Sequence, residues 1–341
     1  MEVLQNVLYV MTQGAYLRRD HLTVQVELEG KVKLGIPMHN LEAIVVFGQV
    51  MVSPGLMGGC AEHGVSLTFL SESGRMLARV DGPVSGNVLL RREQFRWADR
   101  MDCALKLGRS FVAGKLQNAR ANLMRSARET EGEAKDLAMA AEAQAAGIRR
   151  LEQAVDLDVV RGIEGAAARE YFGVFGSMVR QDREAFALKG RTRRPALDRM
   201  NSLLSFLYAL LLADCAAALA GAGLDPNVGF LHADRPGKPS LALDLMEEFR
   251  ALLADRLALT LVNRKQVQAA GFVTRDGGAV EMTEATRREV IGAWRERKLD
   301  MVTHPLVNQS MRVGMLTHTQ ARILARVIRG DIVEYVPCSL K

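Results

Sequence analysis

The sequence predicts an α+β protein with a small β-rich N-terminal domain over residues 1–82, a linker over 83–95 and a larger all-α domain over 96–341. Three observations carry this. Through most of the first 80 residues apolar and polar side chains alternate with period two, and turn dipeptides separate the runs. Beyond the linker the apolar spacing becomes helical and stays so. With 341 residues, the chain is long for one core and comfortable for two.

In the N-terminal part, "HLTVQVELEGKVKLGI" alternates Leu22, Val24, Val26 and Leu28 against polar neighbours, turns at Glu29-Gly30, and resumes with Val32, Leu34 and Ile36. That is a hairpin. "AIVVF" (43–47) is a short buried strand. "SPGLMGGCAEHG" has a helix's punctuation: Ser53 as N-cap, Pro54 in the first turn, Gly64 past the end. "VSLTFLSESGRMLARV" supplies a second hairpin around Ser73-Gly74, and "DGPVSGN" (81–87) opens the linker. A long amphipathic stretch rich in Arg and Lys then runs from Glu93 to Ala127, and "ETEGEAKD" (129–136) breaks it. Further helices come after it, among them "DLDVVRGIEGAAAREYFGVFGSMV" and, after the basic loop "LKGRTRRPALD", the apolar segment 203–224. That segment is long enough to span a bilayer. Asp214 lies in its middle and its Ala/Gly-rich end is weakly hydrophobic, so it is expected as a core helix, with no membrane partner.

The 45 Lys and Arg outweigh 39 Asp and Glu, for a net charge of +6. This balance favours an anionic partner, nucleic acid first. Cys60, Cys103, Cys215 and Cys338 are far apart and form no CxxC pair, which argues against a disulfide framework and a zinc ribbon and for a reducing, cytoplasmic setting. "MEVLQNVLYVM" lacks the basic opening of a signal peptide. There is no Gly-rich phosphate loop, GxSxG or HExxH.

In a basic chain, the acids after His232 stand out. On a helix opened by Ser240, Glu248, Ala251 and Asp255 fall within about 40° of Asp244, and Glu247 lies about 60° to the other side. The plainer reading is a solvated acidic face beside an apolar one. The sharper one is a mixed oxygen and nitrogen metal site with His232, one short Pro/Gly loop away, suited to manganese or magnesium. Glu164 sits among Gly165, Ala166, Ala167 and Ala168, small residues that would let another helix, a metal and a phosphate approach; close helix packing explains them equally. Lys189, Arg191, Arg193 and Arg194 share one loop and are candidates for phosphate contact.

"GIEGAAAREYF", "RRPALDRMNSLLSFLYALL" and "GFLHADRPGKPSLALDLMEEFR", in this order, resemble the signature blocks of the CRISPR-associated integrase, the metal-dependent DNA endonuclease of spacer acquisition. The likeness covers nearly the whole chain, and the N-terminal third is most similar to the type I-C branch. The resemblance implies Glu164, His232 and Glu247 as ligands of Mn²⁺ or Mg²⁺, Asp244 as a neighbouring active-site acid, Arg250 as a basic residue near DNA, and Asn201 and Glu248 as supporting residues. Many members carry Asp where this chain has Glu247, which leaves Glu247 or Glu248 to face the metal. It further implies a homodimer joined through the β-rich domain, and a small ferredoxin-like CRISPR-associated partner. The expected reaction on double-stranded and branched DNA is transesterification, a 3′-hydroxyl attacking a backbone phosphate.

Two other readings remain open from the residues. A non-enzymatic DNA-binding scaffold would use the basic helices and leave the acids idle. A tyrosine-type recombinase would use "HTQAR" with Tyr335 and need no metal.

Overall fold

The structure is a computed structural model that describes residues 7–80, 82, 88–129, 132–188, 190–192 and 195–339. The chain divides into two compact units, residues 1–86 and 87–341.

Among its described residues the first unit holds eight strands, one α-helix and a 3-10 turn (Met38–Asn40): β1 (Val7–Val10), β2 (Tyr16–Asp20), β3 (Thr23–Leu28), β4 (Lys31–Pro37), β5 (Ala43–Phe47), β6 (Met51–Val52), α1 (Pro54–His63), β7 (Ser66–Leu70) and β8 (Met76–Val80). They form two four-stranded sheets, ordered β1-β5-β7-β8 and β4-β3-β2-β6. The first is parallel through β1, β5 and β7, with β8 antiparallel at its edge. Helix α1 has the expected punctuation: Ser53 Oγ accepts from the Leu56 amide at 3.2 Å, and Gly64 takes the left-handed cap. The β3–β4 turn places Glu29 and Gly30 at positive φ, which matches the twist of the strands it joins. Val10, Leu17, Val24, Ile44, Val46, Leu56 and Leu67 build the core. Leu22, Val32 and Leu34 do not join it; β4 is an edge strand, and half or nearly half of each of these side chains stays exposed.

The second unit is helical: α2 (Val88–Asp99), α3 (Met101–Glu129), α4 (Ala134–Glu152), α5 (Leu157–Gly173), α6 (Arg199–Gly221), α7 (Ser240–Phe249), a π-helical turn (Arg250–Asp255), α8 (Arg256–Asn263), α9 (Glu284–Leu299) and α10 (Leu316–Arg329). Helix α3 packs against α4, α5 and α7, while α6 packs against α7 and α10. Helix α6 is the one helix among the described residues long and apolar enough to cross a membrane. Here it is a core helix, and its mid-segment Asp214 pairs with Lys298 at 2.8 Å.

The larger unit is helical, as the sequence predicts, with short antiparallel ribbons added to it: β9 (Phe272–Thr274) pairs with β10 (Val280–Met282), and β11 (Met301–Thr303) with β12 (Ser310–Arg312). The linker boundary differs. Residues 88–95 are helix rather than linker, and 83–87 lie outside the described residues. The reason is Gln94. It is fully buried, its amide donates to the carbonyls of Asp225 and Val228 at 2.8 and 2.9 Å, and its oxygen accepts from the Asp225 amide at 2.8 Å. These bonds tie α2 into the helical unit.

Candidate active site

Three separate segments bring the predicted residues to one place. Helix α5 starts at its N-cap Asp156, which accepts from the Val159 amide at 2.8 Å, and it buries Val160, Ile163, Ala167 and Tyr171. Glu164 stands beside that buried face with its carboxylate partly open. Glu247 comes from α7, and His232 from the loop before it. The histidine Nε2 lies 4.0 Å from Glu247 Oε1.

Between the two glutamates stands Lys115, from α3. Its ammonium contacts Glu164 and lies 2.7 Å from Glu247 Oε2. Arg250 Nε lies 3.1 Å from that same oxygen. Burial pushes the Glu247 carboxyl up, but the charges of Arg250 and Lys115 outweigh it and hold the group at about 2. Glu247 is therefore ionised throughout the working pH range. Among the described residues, no three His, Cys, Asp or Glu side chains are gathered tightly enough to hold one ion as they stand. The glutamates meet at an ammonium instead.

His232 is aimed by Asp244. The Asp244 carboxylate, fully buried, accepts from the backbone amides of Phe230, Leu231 and His232 at 2.6, 3.0 and 3.0 Å, and lies 2.7 Å from His232 Nδ1. The Asp244 oxygens are the acceptors in this set, so Nδ1 is the ring nitrogen that donates to them. Nε2 is the ring nitrogen that faces Glu247. At 4.0 Å this nitrogen is not held by a hydrogen bond to Glu247. The donor set is two carboxylates and one oriented imidazole, which suits Mn²⁺ or Mg²⁺ once the ammonium yields its place. Asp244 lies behind the histidine and does not join the glutamates.

The acids of α7 do not form a solvated face. Asp244, Glu247, Glu248 and Asp255 are all buried, because each has its own partner in the fold. The helical wheel also fails past Phe249, where the π-helical turn widens the spiral and shifts the phase of the residues beyond it. Glu248 turns away from Glu247's cluster. It accepts from the Tyr335 hydroxyl, from Gln320 Nε2 at 3.0 Å and from the Cys338 amide at 2.8 Å, and burial pushes its carboxyl up to about 7. Of the two candidates, Glu247 is the one that faces the site. Tyr335 is a core residue, 1% exposed with its hydroxyl given to Glu248, so it is not placed to attack a phosphate.

Arg191 and Arg250 do not project as phosphate contacts. Arg191 donates to Asn201 Oδ1 and to the Thr192 carbonyl, both at 2.6 Å, and to Ser205 Oγ at 3.1 Å. Both guanidiniums lie over the Tyr208 ring, 5.1 and 4.6 Å from its centroid. Asn201, fully buried, caps this arrangement by donating to the Gly190 carbonyl at 2.8 Å. Tyr208 donates to Asp255 Oδ1 at 2.6 Å. Lys189, Arg193 and Arg194 lie outside the described residues. A cavity of about 40 Å³ runs from Glu164 past Ala168, Tyr171, Tyr208 and Arg250 to Asp255. At roughly 10–15 Å³ per water it has room for about three or four waters.

Lys115 and Tyr208 escaped the sequence reading. Lys115 had a legible signal: it falls on the apolar stripe of Phe111, Val112, Leu116 and Ala119, where a cation needs a buried anion. Tyr208 had none, lying in an apolar helix that buries almost everything it carries.

The family described as CRISPR associated protein Cas1 matches residues 8–296 of the chain. A protein of Moorella thermoacetica named CRISPR-associated endonuclease Cas1 1 is 50% identical over 339 residues, covering 99% of each chain. Among solved structures, a casposase bound to integration product aligns with a TM-score of 0.84 at 18% identity, covering 99% of this chain and 95% of that one. A chain of a Cas6-RT-Cas1–Cas2 complex aligns with a TM-score of 0.84 at 23% identity, covering all of this chain and 37% of the other. At these identities the two structures speak to the fold alone.

Proposed function

The chain belongs to the Cas1 family of CRISPR-associated endonucleases, and from that premise we propose that it is a divalent-metal-dependent DNA integrase that inserts short spacers into the CRISPR array. The observation that supports this best is the meeting of Glu164 and Glu247, from separate helices, at the ammonium of Lys115, with His232 Nε2 4.0 Å from Glu247. The reaction is phosphodiester transesterification, in which a DNA 3′-hydroxyl displaces a backbone oxygen at phosphorus; water in the same place gives nicking. Bound Mn²⁺ or Mg²⁺ supplies Lewis-acid stabilisation of charge on the scissile phosphate and lowers the pKa of the attacking hydroxyl.

The chain's own residues do the rest. Glu164 and Glu247 offer carboxylate oxygens to the position now held by Lys115. Asp244 keeps the proton of His232 on Nδ1 and so keeps Nε2 available as a donor atom. Arg250 steadies the Glu247 carboxylate through the same oxygen that Lys115 contacts, with Tyr208 beneath the guanidinium.

The partners implied are double-stranded and branched DNA, a second copy joined through the β-rich unit, and a small ferredoxin-like protein of the Cas2 kind. A complex containing Cas1 and Cas2 is named for one structural neighbour, which supports that last assignment. The assignment to the type I-C branch rests on the sequence of the N-terminal third alone. The non-enzymatic scaffold predicts no chemistry to lose. Strand transfer into a repeat-containing duplex with manganese, at matched DNA occupancy, decides between the two. His232→Ala is expected to abolish transfer while duplex binding persists. Full activity in that variant would remove the metal assignment.

A further inference from the structure

We infer that residues 335–338, near the C-terminus, form a clasp that sets the spacing of α3 and α7 and thereby positions Lys115 and Glu247 for the reaction. The inference rests on the integrase reading of the site.

The clasp is an irregular strap wedged between the two helices. Glu248, the residue after Glu247, accepts from the Tyr335 hydroxyl, the Cys338 amide at 2.8 Å and Gln320 Nε2 at 3.0 Å. Asn118 of α3 closes the other side: its amide donates to the Glu248 carbonyl at 2.8 Å and to the Cys338 carbonyl at 2.7 Å. One side-chain amide thus joins α3, α7 and the strap. Apolar contact completes the wedge. The Phe111 and Tyr335 rings have centroids 5.2 Å apart, and Gly114 leaves the space that Pro337 fills. Phe111, Gly114 and Asn118 share one face of α3.

The sequence neighbours matter most. Gly114 touches the strap and Lys115 reaches the glutamates; Glu248 holds the strap and Glu247 faces the ammonium. Each gripping residue adjoins a site residue on a rigid helix, so slack in the strap must appear as displacement at the site. Tyr335, Glu248 and Asn118 touch neither DNA nor the reacting atoms in this scheme. They are positioning residues, fully or nearly fully buried, with a network too complete to be explained as loose tail packing.

The test uses full-length protein and a charge exchange. Glu248→Gln sets an amide against the Gln320 amide and loosens the grip. Strand transfer with manganese should fall about ten- to a hundredfold while duplex affinity stays within about twofold, as for other buried partners of site residues. Hydrogen exchange at the amides of 246–250 and 113–117 should accelerate together. The double variant Glu248→Gln/Gln320→Glu puts a carboxylate back opposite an amide, and should recover most of the rate and the slow exchange. Recovery is the telling result, since a carboxylate acting in the chemistry from position 248 could not be restored from 320. The clasp is overturned if Glu248→Gln leaves exchange and rate as in wild type, or if the double variant regains slow exchange but not the rate. Should Glu248→Gln fail to fold, Tyr335→Phe, which keeps the ring and removes only the hydroxyl, carries the same comparison. A wild-type protein inert with every metal would sink the integrase reading instead, and exchange alone would still decide whether the strap holds the helices.

Discussion

Lys115 contacts the two carboxylates that would hold the divalent ion in the proposed site, so ammonium and metal would compete for one place. Lys115→Met removes the competitor while keeping the length of the stem. Manganese affinity, followed by electron paramagnetic resonance without DNA, should rise by about tenfold, a change of about 1.4 kcal/mol. The metal-free protein should lose stability, because two buried or half-buried anions are left facing each other. Unchanged manganese affinity would place the ion elsewhere. Asp255 makes a second prediction of known sign. Burial pushes its carboxyl from 3.8 up to about 6, against the opposing pull of its tyrosine partners. The folded protein therefore binds the Asp255 proton more tightly than the unfolded chain does. That contribution to stability is complete below about pH 4 and is lost as pH rises through about 6. Asp255→Asn has no proton to lose, so urea midpoints should move in its favour relative to wild type between pH 4 and pH 7. A constant difference across that range would show that Asp255 is ionised in the fold.

At the scale of elements, α3 and α5 respond differently to one added methyl group. A Cβ on Gly114 would stand 2.6 Å from Pro337 Cβ and 3.0 Å from Glu248 Cγ, and neither is the loose end of a flexible side chain. Gly114→Ala should cost about 1–3 kcal/mol by overpacking. A Cβ on Gly162, in α5, meets nothing within 4 Å, and Gly162→Ala should stabilise by about 0.4–1 kcal/mol through the unfolded chain. Paired denaturation curves check both, and equal effects would remove the strap from the face of α3. Such contacts mark the limit of what the sequence discloses. The α1 caps, the Glu29-Gly30 hairpin and the core helix through Asp214 were legible because they depend on near neighbours in the chain. Glu164, His232 and Glu247 were legible through motif blocks. The π-helical turn was not, since it shifts the wheel within an unbroken apolar pattern. Nor was the burial of Asp244, Glu248 and Asp255, whose partners are spread from Tyr208 to Tyr335 and bring those acids inside by tertiary contact alone.

At the scale of the whole molecule, the excess of 45 basic over 39 acidic residues must be divided between cations that hold the fold and cations that hold DNA. The loop 189–194 carries one cation of the first kind. Arg191 bonds Asn201, Thr192 and Ser205 and lies over Tyr208, so its charge is already engaged within the helical unit. Arg191→Ala should lower the melting temperature and leave the salt dependence of duplex binding unchanged. Lys189, Arg193 and Arg194 are the loop's candidates for phosphate contact. Each contact made displaces condensed counterions, so losing all three should reduce the log–log slope of affinity against salt by about 0.9 per contact, or about 2.7 in total. Because phosphate contacts carry no base information, the loss should be uniform across duplex sequences. The triple Ala variant and Arg191→Ala, titrated from low to moderate salt by fluorescence anisotropy, give the comparison directly. A flattened slope in Arg191→Ala at unchanged melting temperature would make that arginine a DNA contact and dissolve the division. An unchanged slope in the triple variant would move the DNA path off this loop and onto other basic residues of the chain.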